Sequence, residues 1–213
     1  MDRREALSRV ALILGGTVIG AEAFLSGCKS TPAKEGLFAP DDIALLDEVG
    51  ETILPRTATP GAKDAQVGSF MKVMVTDCYP EDDQKVFTDG ITKLQDAAKK
   101  KYDKSFMDLT PDQKKEFIIG LDKDAINRSK ELGEKYAKLS DDEKHKRKLE
   151  QDAGIYKRDA QDDPHYFSFM KQLTLLGFFT SEPGATKALR YVAVPGRYEG
   201  CIPYKKGDKA WAT

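Results

Sequence analysis

Cysteine, histidine and tryptophan are scarce in this sequence, and each scarcity closes off a class of chemistry. The 213 residues hold three cysteines, two histidines and one tryptophan. No Cys-x-x-Cys-His run occurs, so a covalently attached c-type haem is not expected. Three cysteines cannot supply the four thiolates of an iron–sulfur cluster. No dinucleotide fingerprint follows a strand-like segment, because Gly15, Gly16 and Gly20 all lie in the leader described below. Neither charge sign dominates. With 34 Lys and Arg against 35 Asp and Glu, the basic excess that nucleic-acid binding calls for is missing. Long apolar runs are missing too. Val10 to Ala21 falls far short of the roughly 20 residues needed to cross a bilayer core.

The candidates for catalysis are correspondingly few. His145 stands among Lys144, Lys146 and Arg147, where neighbouring charges oppose a cation and a solvated helix face is expected. His165, beside Asp163 and Tyr166, is read as packing at a helix start, with a functional imidazole as the other reading. Asn127-Arg128-Ser129 matches a glycosylation sequon by chance composition. The carboxylates are numerous, but no pair separates from the charged background as a general acid and base. No catalytic, cofactor-binding or metal-ligating residue is assigned, and the chain does not read as an enzyme.

The first 28 residues carry the strongest pattern. Arg3-Arg4, a modestly apolar segment and Leu25-Ser26-Gly27-Cys28 follow in order, as in a twin-arginine export signal ending in a lipobox. Cys28 is then the lipid-bearing first residue, 1–27 the signal, 28–36 a polar tether and 37–213 the folded body. Two or three acyl chains hold a protein firmly where one does not, so the expected location is the periplasmic side of a bacterial envelope. Which membrane receives the lipid stays open. In that oxidising compartment the two remaining thiols, Cys78 and Cys201, are a candidate disulfide. With 32% charged residues and a mean hydropathy of −0.52, the body reaches the membrane through lipid rather than a span.

Apolar spacing in the body predicts helices throughout. Pro40 with Asp41-Asp42 opens the first, its core face at Ile43, Leu46, Val49 and Ile53, and Pro55 ends it. Val67 to Tyr79 places Val67, Phe70, Met71, Met74, Val75 and Cys78 on one face. Glu81 to Tyr102 carries Phe87, Ile91, Leu94 and Ala98. Thr110-Pro111-Asp112-Gln113 and Ser140-Asp141-Asp142-Glu143 read as capping boxes, the first opening a helix with Phe117, Ile118, Leu121 and Ala125. From Asp122 to Asp163 charge dominates, as in solvated helices with a thin apolar stripe or a polyelectrolyte docking surface. Pro164 to Thr180 is apolar on most sides, as in a buried central helix or one lying against a large partner. A short helix to about Leu189 follows. Arg190 to Thr213, rich in Gly, Pro and Tyr, reads as an extended arm closed by Trp211. The expected fold is all-α: one compact helical domain with a charged helical insertion and a C-terminal arm.

Several segments, taken in order, are similar to the gluconate 2-dehydrogenase subunit 3 family. They are Phe38-Ala39-Pro40-Asp41, Thr52-Ile53-Leu54-Pro55, Thr59-Pro60-Gly61-Ala62, Thr174-Leu175-Leu176-Gly177, Ser181-Glu182-Pro183-Gly184, and Tyr191 with Val194-Pro195-Gly196-Arg197-Tyr198-Glu199-Gly200-Cys201. The resemblance implies a small accessory subunit partnered by a large flavoprotein of the glucose-methanol-choline type, with FAD in the partner and haem c in a cytochrome third subunit. It also implies that Arg3-Arg4 exports both partners. The lipobox departs from the family pattern. Tyr191, Tyr198, Tyr204 and Trp211, with the aromatic 166–179 segment, are the residues expected at the partner interface. Two other readings stay open on the sequence: a stand-alone envelope lipoprotein that binds or scaffolds, and an enzyme in its own right.

Overall fold

Six α-helices build the described part of the protein, each set by the local signals in its sequence. The computed structural model describes residues 36–153, 156–194, 196 and 200–212. Arg3, Arg4, Cys28 and Tyr198 therefore lie outside the described residues. The helices are α1 (Pro40–Ile53), α2 (Val67–Cys78), α3 (Glu81–Tyr102), α4 (Pro111–Ala137), α5 (Asp141–Asp152) and α6 (Tyr166–Thr180). No β-strand occurs among the described residues, only an isolated bridge between Arg190 and Trp211.

Both capping boxes form. Gln113 N–H donates to Thr110 Oγ1 at 3.3 Å and Thr110 N–H returns to Gln113 Oε1 at 3.0 Å. Ser140 and Glu143 repeat the pattern at 3.2 and 2.8 Å. Each box satisfies two backbone donors that a helix start otherwise leaves to water. Three acidic residues open α3 and three lysines fill its last turn, matching both ends of its dipole.

The core lies where α1, α2, α3 and α4 close around one face of α6, which touches each of the other four. The buried apolar residues described all fall between Phe38 and Phe178, so the unit from Gly36 onward carries its own core. α3 contributes Phe87, Ile91, Leu94 and Ala98, and α4 contributes Phe117, Ile118, Leu121 and Ala125, as their spacing predicts. In α1 the buried face is Leu45, Leu46, Val49 and Gly50, turned away from the predicted Ile43. This helix packs on α2, α4 and α6 together, and Gly50 sits against Val67, Ala62 and Thr174.

Helix α3 crosses α6 at a glycine. A Cβ on Gly90 would fall 2.4 Å from Tyr166 Cβ and 2.6 Å from its Cγ. Alanine is worth about 1 kcal/mol more than glycine in a helix interior; here overpacking outweighs that gain. Gly90→Ala is therefore expected to lower stability by about 1–2 kcal/mol, read as a lower urea midpoint; an unchanged or raised midpoint would refute the close crossing.

One expectation requires correction. Cys78 and Cys201 are both free and exposed, and they form no disulfide. The buried row of α2 runs Val67, Met71, Val75, and its next place, four residues on, goes to Tyr79, whose ring packs edge-on to Phe169 at 5.5 Å. Cys78 is left one residue off that row. The charged 122–163 segment is solvated as expected along α5, which buries no residue, but ion pairs bind its ends to the body. Arg158 meets Asp83 on α3 at 2.6 Å and Asp163 at 2.8 Å. Arg128 Nε donates to Asp163 O at 3.0 Å, and Lys135 pairs with Asp162. These bonds staple the returning chain to α3 and α4, around a cleft of about 510 Å³.

Candidate partner interface

Helix α6 is too apolar for the position it occupies. Among its 15 residues Lys171 is the only charged one. One face, formed by Phe167, Met170, Leu173, Thr174, Gly177 and Phe178, is buried. The opposite face carries Leu175, Leu176 and Phe179, which are 36%, 44% and 41% exposed. A soluble helix normally shows polar side chains there. The sequence expectation of burial on most sides thus holds for one face only.

Helix α4 also exposes isoleucines, and one of them, Ile126, lies beside Leu175. Ile119 and Ile126, two turns apart on one stripe, are both nearly half exposed. Lys171 on α6 pairs with Asp122 on α4 at 2.6 Å, tying the helices together. Between them lies an open groove of about 480 Å³ floored by Ala125, Ile126 and Leu175, with Ser129, Lys130 and Gln172 at its edge. An apolar strip rimmed by polar groups is the usual anatomy of a protein–protein contact.

His165 precedes α6 and has a structural task. Its Nδ1 accepts the Phe167 N–H at 3.3 Å, and its ring stacks on Tyr166 at 4.5 Å. Burial disfavours the imidazolium and holds the pKa below its ordinary value of 6.5; Lys93 and Arg128 push the same way, against Asp124. The unfolded chain therefore takes up the proton first as pH falls. The contribution is complete above about pH 6.5 and is lost as pH drops through that value toward the lower folded pKa. We expect the urea midpoint to fall between about pH 7.5 and pH 5.5, and His165→Asn, which can still cap the helix, to flatten that fall. An equal fall in the variant would assign the effect to other groups.

At another end of the bundle two glycine-containing loops face each other. Arg56, Thr59 and Asp64 on one side, and Glu182, Pro183 and Lys187 on the other, line a cleft of about 570 Å³. Glu51 organises the first loop by accepting Arg56 N–H at 2.8 Å and Lys63 N–H at 2.9 Å. Gly184 lies so close to the Phe178 carbonyl that a Cβ would fall 1.8 Å from its oxygen. The chain turns there, through the π-helical turn Gly184–Ala188, into the C-terminal arm.

The arm is closed at its neck. Arg190 N–H donates to Ala210 O at 2.8 Å, Ala212 N–H donates to Arg190 O at 2.9 Å, and the guanidinium lies 4.1 Å from the Trp211 ring centroid. Trp211 thus closes the arm, as its position suggests, while Tyr191 and Tyr204 stand in solvent. Among the described residues no group of three metal-ligating side chains occurs, and no helix is long and apolar enough to cross a membrane.

The sequence matches the model of a known family over residues 40–196, from the first residue of α1 into the arm. The chain belongs to the gluconate 2-dehydrogenase subunit 3 family. No curated protein and no solved structure matches it. The family match takes in all six helices and both facing loops, including the charged α4–α5 region where the sequence resemblance is weakest. The exposed half of α6 was partly legible: its composition pointed to a partner, but the contribution of Ile119 and Ile126 was not. Those isoleucines sit off the α4 core stripe, and only the packing of α4 on α6 brings Ile126 to the groove beside Leu175.

Proposed function

We propose that this chain is the small, non-catalytic subunit of a flavin-dependent dehydrogenase complex and that its catalytic partner covers the outer face of α6. Its membership of a family named for the third subunit of a dehydrogenase supports the accessory role. The observation that carries the docking surface is the exposed apolar row Leu175, Leu176 and Phe179 on a helix whose opposite face is buried in the core. The partner is read as a glucose-methanol-choline-type flavoprotein acting on a sugar or polyol. FAD resides in that partner, and haem c in a cytochrome subunit that takes the electrons onward.

The leader completes the proposal. Arg3-Arg4 directs export of a complex already folded and loaded with FAD, and lipid on Cys28 holds it at the periplasmic side of the envelope. The small subunit then supplies address, anchor and support, while substrate chemistry belongs to the flavoprotein. Membranes solubilised in mild detergent and drawn down on a tag test this. A large co-eluting protein with a flavin absorption spectrum is the expected result, and a colourless single chain would overturn the reading.

A further inference from the structure

The C-terminal arm has a composition unlike the rest of the chain. Residues 190–213 hold five cations, Arg190, Arg197, Lys205, Lys206 and Lys209, against two carboxylates, Glu199 and Asp208, in a chain whose total charge is −1. The arm is therefore the basic pole of a protein that is otherwise net acidic. Two of its large apolar side chains are also the least covered among those described. Val194 and Tyr204 are 83% and 76% exposed, more than any other large apolar side chains described, and Tyr191, Val192 and Ile202 are also exposed.

The arm is nevertheless shaped. The Arg190–Trp211 clasp closes its neck, and Lys209 Nζ adds a bond to Lys187 O. Just before the neck, Lys205 N–H donates to Asp208 Oδ2 at 2.9 Å and Asp208 N–H to Lys205 O at 3.0 Å. Gly207, at φ +101°, makes this turn possible. The turn carries Lys205 and Lys206 directly after Tyr204, with Ile202 two residues earlier. A protein interface depletes lysine at its centre and pays for exposed aliphatic groups with a matching apolar surface. An exposed Lys205-Lys206 pair directly after the exposed Tyr204 and close to Ile202 fits another surface better. Tyrosine and tryptophan favour the membrane–water boundary, aliphatic tips favour the acyl region, and lysines favour anionic headgroups.

We propose that the arm is a membrane-contact loop that inserts Val194, Ile202 and Tyr204 at the surface of an anionic phospholipid bilayer, with Lys205 and Lys206 on its headgroups. The charge of the arm selects this occupant. The contact is additional to any covalent lipid and works on the folded body directly, holding one side of it against the bilayer.

A chain of residues 36–213, which contains the whole described core, tests this without the leader or lipid. Flotation is measured with vesicles of phosphatidylglycerol and of phosphatidylcholine, together with the emission of Trp211, the only tryptophan. The expected result is flotation with phosphatidylglycerol, a blue shift of Trp211 and loss of both in high salt. Lys205→Glu with Lys206→Glu should weaken this binding by roughly an order of magnitude or more, and Val194→Ser with Tyr204→Ser should remove the blue shift. Unchanged helical circular dichroism confirms that these exposed changes leave the body folded. Absence of flotation on phosphatidylglycerol, or flotation that ignores both double variants, overturns the proposal. If the same variants instead release the co-purifying dehydrogenase from the full chain and leave vesicle binding unchanged, the arm belongs to the protein interface and the membrane assignment fails.

Discussion

Leu176→Asp combined with Phe179→Asp is expected to strip the catalytic subunit from the full chain while leaving the small subunit folded. Both side chains are over 40% exposed in the isolated body, so aspartate there meets water and should change its stability by no more than about 0.5 kcal/mol. In the complex the same positions are read as covered by apolar partner surface. There each carboxylate would be buried without a partner, and hot-spot losses run to about 2 kcal/mol or more per residue. Two such losses weaken association by roughly three orders of magnitude. Co-purification and gel filtration read the loss, and thermal melting of the small subunit alone reads the control. Loss of the complex together with a collapsed melting temperature would show a folding defect rather than a docking defect.

Phe87→Ala is expected to be the most damaging single truncation in the body. Phe87 is fully buried in the second turn of α3, and its ring packs edge-on to Phe38 at 5.9 Å. Removing a buried aromatic ring typically costs about 3–5 kcal/mol, from lost transfer energy and the cavity left behind. A domain of this size is stable by about 5–15 kcal/mol in total, so this one change removes a large share. The urea midpoint should fall sharply with little change in slope. A loss below about 1 kcal/mol would mean that the Phe38–Phe87 contact does not organise the core. The same variant should also release the N-terminal entry to α1, because Phe38 loses its ring partner.

Local patterns carried much of this fold, and the residues show why. In α3 and α4 a regular apolar stripe marks the core face, helped in α4 by its capping box, and the predicted core residues are among the buried ones. Where one helix meets several neighbours the stripe is a poorer guide. α1 packs on three helices, so its buried face widens to Leu45 and Gly50 and leaves Ile43 half covered. Cys78 illustrates a finer limit. Its spacing suits the buried row of α2, but the helix ends there and Tyr79 takes the seam with Phe169. Charge patterns show which residues meet water but not which opposite charges they find. Arg158 reaches Asp83 across 75 positions of sequence, a pairing that no local reading could select.

The candidate interface was legible in kind but only partly in place. Pro164 to Thr180 signalled either a central helix or one against a partner, and α6 is central on one face with its other face unmet. The aromatic arm residues Tyr191, Tyr204 and Trp211 were expected to share that surface. They are exposed, and the basic turn beside them distinguishes the arm chemically from the Leu175, Leu176 and Phe179 strip on α6.

Site-specific photocrosslinking from α6 in the assembled complex tests the central claim most directly. A photoreactive amino acid is placed at Leu176, with a control at the exposed Leu149 on α5, and adducts are identified by mass spectrometry. The account predicts a crosslink from position 176 to a flavin-containing dehydrogenase subunit and none to that subunit from position 149. A complex that forms normally and gives that crosslink from 149 but not from 176 would contradict it.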